Sequence, residues 1–471
     1  MYRPAVAPPR IMETFYGPKP KERAVNLLED MVSVEVEELF PDVNERIYRD
    51  GDDLSAVRKA ADKALAPIDM TFVKPGDTVK VLSSEHGFSI MGGEPYVVML
   101  EAVRDGIRAK TGCKDIRLMV GAYKGFRESD EFIAQYDLKR RFEGKVYGYG
   151  PWDKDVPIET QIGTVYGIRK AFDGNWFVHC YYDDPREIYY HRQIQRAFKP
   201  FGMSYVRFET RSIYHMNFAN RSCNFLPIAV FNSPFIQERY AFSCVLRHSP
   251  AGILTVDADK DLSALDKRIT VSHLKKYGKM MRLFHAVDEC IAVLDGGRWG
   301  FYLHAGGTIF GVFMHAHDDL FDLTNAKVLG GFKKNEKGEI VPMLINPACK
   351  VIVMNQAWPG INYLGLDETP IIIAGEDHAA LWKADHCNPY ISETARTAPD
   401  LNRAMDMARD IYPTDKVIVF DGSFGCINCS SAMADLLVKK APEVGRQVDE
   451  ELLPMWLKQR GIDLGVYDAD V

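Results

Sequence analysis

With 471 residues, 46% of them apolar and 26% charged, the chain has the composition of a globular protein and is long enough for two large lobes. A net charge of -7 without any basic run excludes a surface that tracks nucleic-acid phosphates. The first residues lack the apolar core of a signal peptide, the apolar stretch 299–313 is too short to span a bilayer, and the nine scattered cysteines are typical of reduced thiols, so we expect a soluble cytoplasmic protein.

The first 25 residues, rich in proline and basic residues, predict an arm that packs on the body or on a partner subunit. Helical spacing of apolar residues predicts a helix from Asp53 to Leu65. The clearest pattern follows: the turn Pro75-Gly76-Asp77, a short apolar run, a glycine-rich loop and an amphipathic helix that Gly112 ends. It predicts two parallel strands joined by a right-handed crossover, Val79 to Leu82 and Ile116 to Val120.

Short apolar runs in the second half repeat this pattern, which is typical of strands buried on both faces. The runs are Cys290 to Leu294, Val351 to Met354, Ile371 to Ala374 and Val417 to Phe420, the last expected to lead through a glycine-rich loop into a helix. A charged helical segment, Lys260 to His285, is the expected connector. We predict an α/β fold of two lobes, residues 1–265 and 266–471, each with a mostly parallel sheet flanked by helices and with the active site in the cleft between the lobes.

Loops that follow parallel strands are the places to seek a site. The first such loop carries Glu85 and His86, a carboxylate beside an imidazole that suits acid–base work or metal binding. The stretch from His179 to His215 is dense in tyrosine, histidine and arginine, and a guanidinium there suits a carboxylate or phosphate substrate. The alternative interpretations are a loop that only turns the chain, and a surface of aromatic residues and ion pairs.

Two further groups have the side-chain types of metal ligands. His315 and His317 would share one face of a strand, with Asp318 next to them. A second group contains ligand types at a spacing that matches no zinc pattern: Glu376, Asp377, His378, Asp385 and His386.

A single CxxC pair, Cys426 and Cys429, stands in what we predict to be a glycine-rich loop that opens a helix. A helix N-terminus would lower the thiol pKa and favour a redox pair. The alternative is two small buried residues at a tight turn.

The order of strand, Glu85/His86 loop, helix, strand and turn resembles a known family. The turn reads Gly121-Ala122-Tyr123-Lys124, and weaker similarity lies in Gly150 to Asp153, in Ile162 to Thr164 and in 402–422. This layout is similar to that of the lactate racemase family, the nickel-pincer 2-hydroxyacid racemases and epimerases. The resemblance implies catalytic roles for His86, Tyr123, Lys124 and His215, substrate contacts from Glu85, Arg186 and His191, and His215 as a nickel ligand. Independently of the resemblance, the residue types make His315 and His317 further metal candidates.

The chain departs from the family at its catalytic positions. Tyr123 and Arg186 stand where the family has its two catalytic histidines, and Arg196 falls near the lysine that carries the cofactor. We therefore expect nickel or another divalent metal without that lysine attachment.

The leading hypothesis is a racemase- or epimerase-like enzyme that acts on a small 2-hydroxy acid or related polar organic acid, as a homo-oligomer without nucleic-acid or membrane partners. The first alternative is a metal-dependent lyase or hydrolase that uses either of the two groups of ligand types described above. The second is a non-catalytic ligand-binding or assembly protein on the same fold.

Overall fold

The structure is a computed structural model. It describes residues 2–7, 21–43, 46–49, 51–84, 87–88, 92–122, 126–183, 196–217, 225–296, 303–304, 307–308, 319, 321–325, 328–329, 332–342, 346–357 and 369–466. None of the helices in these segments combines the length and the apolar character needed to cross a bilayer.

The first sheet, as far as the described residues show it, has six strands, and five of them are parallel to one another. In spatial order they are Gly252–Asp259, Tyr240–Ser249, Trp176–Tyr182, Thr78–Ser84, Asp115–Gly121 and Val146–Tyr149, of which the first is the antiparallel edge. The predicted βαβ unit lies at its centre, and Gly112 ends the intervening helix in the left-handed conformation (φ 70°) that glycine adopts without strain.

The second sheet has eight strands within the described segments, and five consecutive ones are parallel. In spatial order they are Arg3–Pro4, Met31–Glu35, Cys426–Ser430, Val417–Phe420, Cys290–Asp295, Cys349–Gln356, Ile371–Ala374 and Arg396–Ala398. The first three pair antiparallel with their neighbours, and the last five form the parallel part. Two mostly parallel sheets flanked by helices confirm the predicted fold class.

Helices flank both sheets. Those with the first sheet are Ser55–Leu65, Gly93–Thr111, Phe126–Gln135, Leu138–Arg141, Arg169–Phe172, Phe208–Asn217, Phe225–Phe231 and Pro234–Gln237. Those with the second are Ala24–Leu27, Val36–Leu39, Glu376–Lys383, Pro389–Thr394, Leu401–Ile411, Ser431–Gln447 and Leu453–Gln459, with a π-helical turn at Val448–Leu452.

Smaller elements complete the described chain. Short 3₁₀ helices lie at Pro41–Val43, Arg196–Phe201 and Leu464–Val466. Minor antiparallel pairings join Asp155–Thr160 to Gly163–Ile168, Leu303–His304 to Gly307–Thr308, and the three strands Val328–Leu329, Phe332–Lys334 and Ile340–Pro342.

Both faces of each sheet are buried, because alternate residues of one strand belong to different apolar cores. In the strand Cys290–Asp295, Ile291 and Val293 pack into one core, whereas Ala292 and Leu294 pack into the core on the opposite face. This arrangement explains why the strands read as continuous apolar runs in the sequence.

The helix Leu262–His285, here called the connecting helix, joins the two lobes. Asp261 caps its N-terminus by accepting hydrogen bonds from two main-chain N–H groups. Its first two turns pack through Leu265 and Ile269 into a core of the first sheet, and its later turns pack through Leu274 and Met281 into a core of the second. The predicted connector is therefore a buried helix in contact with both lobes.

The N-terminal segment pairs with the C-terminal part of the chain. The strand Met31–Glu35 lies beside Cys426–Ser430, and Arg3–Pro4 lies on its other side. The predicted division, 1–265 and 266–471, placed this segment in the first lobe, whereas its strands extend the sheet of the second. Antiparallel pairing between residues some 400 positions apart leaves no local signal in the sequence.

Candidate metal centre

The side chains that the sequence singled out as a site lie outside the described residues. These are Glu85, His86, Tyr123, Lys124, Arg186, His191, His315 and His317, together with Asp318. His215 lies on the helix Phe208–Asn217, but its side chain is also outside the described set. The convergence of these residues in one crevice therefore stays a prediction.

The group from Glu376 to His386 does not form a ligand cluster. Glu376 and Asp377 are exposed on the first turn of their helix, whereas His378 is 1% exposed and contacts the carbonyl oxygen of Ala357. Burial lowers the pKa of His378 to about 4, so the ring is neutral and serves the packing of this lobe.

Cys426 and Cys429 lie in a strand, not in a loop at a helix N-terminus. The strand Cys426–Ser430 precedes the helix, which begins at Ser431. Residues three apart in a strand point to opposite faces, and burial raises the pKa of both thiols. The predicted placement was wrong, and the two cysteines are buried core residues without the features of a redox pair.

The carboxyl edge of the second sheet, where open α/β sheets bind ligands, is filled by the chain's own residues 21–24. The guanidinium of Arg23 donates to the main-chain carbonyl oxygens of Asp295 and Asp421, at 3.0 and 2.7 Å. The backbone N–H of Ala24 donates to Asp295 Oδ2 at 2.8 Å. Lys21 also donates to the carbonyl oxygen of Ala374, and Asn355 donates to the carbonyl oxygen of Glu22. These two contacts lie at the ends of two further strands.

Three buried side chains, Asp183, His248 and His273, converge instead at the carboxyl edge of the first sheet. Asp183 directly follows the strand Trp176–Tyr182, and His248 lies near the end of its parallel neighbour Tyr240–Ser249. His273 lies on the connecting helix. All three side chains are at most 1% exposed. The rule that ligands bind beyond the carboxyl ends of parallel strands therefore selects this cluster.

The three side chains have the spacing of a coordination shell. Asp183 Oδ1 lies 3.2 Å from His248 Nε2, and Asp183 Oδ2 lies 3.1 Å from His273 Nε2. One ligand atom from each residue lies within 4.8 Å of the others. Ligand atoms bonded at about 2.0–2.2 Å to one tetrahedral zinc ion are themselves about 3.3–3.6 Å apart, slightly more than these two separations. Within the described part of the chain, this is the cluster of three that could hold a metal ion.

The donor set indicates the kind of ion. Two imidazole nitrogens and one carboxylate oxygen are typical of catalytic zinc and of non-haem iron(II), which leave coordination positions open for water or substrate. Magnesium and calcium prefer oxygen ligands. The same distances also suit hydrogen bonds from imidazole N–H groups to the carboxylate, so metal content distinguishes the two interpretations.

Hydrogen bonds fix the cluster in place. The main-chain N–H of His248 donates to Asp183 Oδ1 at 3.1 Å, and the main-chain N–H of Asp183 donates to the carbonyl oxygen of Leu246 at 3.2 Å. Tyr277 Oη lies 2.7 Å from His248 Nδ1. These contacts hold the carboxylate of Asp183 and the imidazole of His248 in one arrangement.

Aromatic side chains and a turn of the second lobe border the cluster. The ring of Tyr182 lies 4.8 Å from that of His248, and the ring of Phe424 lies 6.1 Å away. The main-chain N–H of Gly425 donates to the carbonyl of Pro250 at 3.0 Å, and a Cβ at Gly425 would lie 2.8 Å from the carbonyl oxygen of Ala251. The glycine, at φ +81°, lets the two lobes approach this closely beside the cluster.

Sequence reasoning did not find this cluster. Asp183 lies inside the dense stretch that begins at His179, but the residue pattern singles out neither Asp183 nor His248 nor His273. His179 itself contacts Tyr205 and the carbonyl of Ala197, and burial lowers its pKa to about 3, so it is a structural residue. The positions of Asp183 and His248 at adjacent strand ends were the available signal, and His273 gave none.

No protein-family model matches this chain, and no curated protein matches it either. The resemblance to the lactate racemase family therefore stays a prediction, and the geometry of the cluster carries the functional argument.

Proposed function

We propose that this chain is a metal-dependent enzyme, a lyase or hydrolase that binds one divalent transition-metal ion through Asp183, His248 and His273. The observation that carries the proposal is the convergence of these buried side chains, with the donor types of catalytic zinc and iron sites, at a carboxyl edge of a parallel sheet. This is the first alternative from the sequence, with a different set of ligands.

Charge supports a small organic acid as the substrate. Two neutral imidazoles and one carboxylate leave a divalent ion with a net charge of about +1, which favours an anionic ligand, and the low-dielectric surroundings strengthen that attraction. Arg186 stands three residues after Asp183 in the sequence, and a guanidinium suits a carboxylate. The bound ion would polarise a substrate oxygen or lower the pKa of a bound water.

Removal of the metal is the test. We expect the purified protein to contain about one zinc, iron or manganese ion per chain. Dialysis against a chelator should lower the melting temperature, because an ion at 100 times its Kd contributes about 2.7 kcal/mol to the folded state. Adding zinc or manganese should restore the melting temperature. Adding magnesium, which prefers oxygen ligands, should not.

Elemental analysis combined with intact-mass measurement separates this proposal from the racemase hypothesis. Bound nickel together with a covalent adduct would favour the pincer chemistry. The absence of any transition metal, with no change of melting temperature when zinc is added, would contradict the proposal and favour a ligand-binding or assembly protein.

A further inference from the structure

We propose that Tyr277 is a positioning residue that holds the ring of His248 in the orientation required for metal binding through Nε2. The inference rests on the proposed function. Tyr277 Oη lies 2.7 Å from His248 Nδ1, and both side chains are fully buried. A partner on the second nitrogen of a metal-bound imidazole is the usual way in which proteins orient such ligands.

The spacing of the connecting helix places Tyr277 for this role. His273 and Tyr277 are four residues apart, so they lie on the same face of the helix, one turn from each other. Their rings are 5.4 Å apart and nearly perpendicular. One face of the connecting helix therefore supplies both the ligand His273 and, one turn later, Tyr277, which is the hydrogen-bond partner of the second histidine ligand, His248.

The two nitrogens of His248 face different partners. Nε2 lies 3.2 Å from Asp183 Oδ1, inside the cluster, and Nδ1 faces Tyr277. An imidazole that binds a metal through Nε2 keeps its proton on Nδ1. Nδ1–H then donates to Tyr277 Oη, and this hydrogen bond opposes rotation of the ring.

The test is Tyr277→Phe, which removes the hydroxyl and keeps the ring. The matched control is Tyr96→Phe: Tyr96 is also fully buried, and its hydroxyl donates to the carbonyl oxygen of Cys180 at 2.8 Å, in the same lobe. Both variants lose one buried hydrogen bond. We expect the Kd for zinc, measured by competition with a chelator, to rise about 10- to 100-fold in Tyr277→Phe, the range typical for loss of such a partner, and to stay unchanged in Tyr96→Phe.

Cobalt provides a spectroscopic measurement that a purely structural role would not affect. The visible absorption of bound cobalt(II) should change in Tyr277→Phe and match the wild type in Tyr96→Phe. If wild type binds no metal, the proposed function fails, and the inference fails with it. If wild type binds zinc and Tyr277→Phe binds it equally well, the inference alone is wrong.

Nitrogen NMR of the histidine side chains keeps the inference testable if the variant does not fold. In zinc-loaded wild type, the resonances of His248 should show a proton on Nδ1 and a metal on Nε2. A metal on Nδ1, the nitrogen that faces Tyr277, would overturn the inference without any variant.

Discussion

Replacing His273 with alanine should lower the affinity of the chain for zinc or cobalt by more than about 100-fold. The variant loses a residue that binds the metal directly. Loss of a residue that only hydrogen-bonds to such a ligand lowers metal affinity by about 10- to 100-fold, so the loss of the ligand itself should have a larger effect. His273 Nε2 lies 3.1 Å from Asp183 Oδ2, and the side chain is 1% exposed, so its removal takes one nitrogen donor out of the buried cluster. Calorimetric titration of the metal-free protein measures the effect.

The matched control is His378→Ala. His378 is equally buried, but it lies beside the second sheet and contacts the carbonyl of Ala357. Both variants lose a buried imidazole, so both should be less stable, and only His273→Ala should lose metal affinity. Equal metal affinity in His273→Ala and wild type would contradict the assignment of this ligand.

Replacing Arg23 with alanine should destabilise the second lobe by about 3–5 kcal/mol, the usual cost of removing one partner from a buried ion pair. Arg23 is 4% exposed, and its Nε lies 3.7 Å from Asp295 Oδ2. Its other two nitrogens donate to the main-chain carbonyl oxygens of Asp295 and Asp421. Loss of the guanidinium removes the donor to these carbonyl oxygens and the positive charge beside the buried carboxyl groups of Asp295 and Asp421. Arg140, largely exposed in an ion pair with Asp137, is the control, and Arg140→Ala should leave the urea midpoint nearly unchanged.

The effect of Arg23→Ala should depend on pH. Burial raises the pKa of Asp295 and of Asp421 above the usual range, and the nearby guanidinium lowers both pKa values in part. A carboxyl with a raised pKa in the folded state stabilises the fold at acidic pH, and this contribution is lost as the pH rises through the folded pKa. The difference in stability between wild type and Arg23→Ala should therefore be larger at pH 7 than at pH 4. A difference that does not vary with pH would show that only the carbonyl contacts matter.

Local signals were sufficient for the parallel strands and the connecting helix. A buried apolar run such as Val351 to Met354, or the turn before Val79, can be recognised from residues that are neighbours in the sequence. The structure confirms the strands predicted from these signals. The strand Cys426–Ser430 was missed although it pairs with its chain neighbour Val417–Phe420 as well as with the distant residues 31–35. The glycines before it, Gly422 and Gly425, indicate a loop, and in the structure they lie in the turn that joins these two antiparallel strands.

The site was only partly predictable. The rule for parallel sheets directs attention to strand ends, which is where Asp183 and His248 of the proposed metal centre lie. The rule does not tell which of the two sheets leaves its carboxyl edge open to a ligand. Residues 21–24 cover that edge of the second sheet through tertiary contacts, which the sequence does not reveal. His273 comes from a helix that crosses between the lobes, so no motif or spacing in the sequence relates it to the other two.

Anomalous X-ray scattering from crystals grown with zinc tests the central claim most directly. The account predicts one peak at the zinc absorption edge, about 2.0–2.2 Å from a carboxylate oxygen of Asp183 and from Nε2 of both His248 and His273. A cluster without a peak, with its imidazoles bonded directly to the carboxylate, or a zinc peak at His315 and His317 instead, would contradict it.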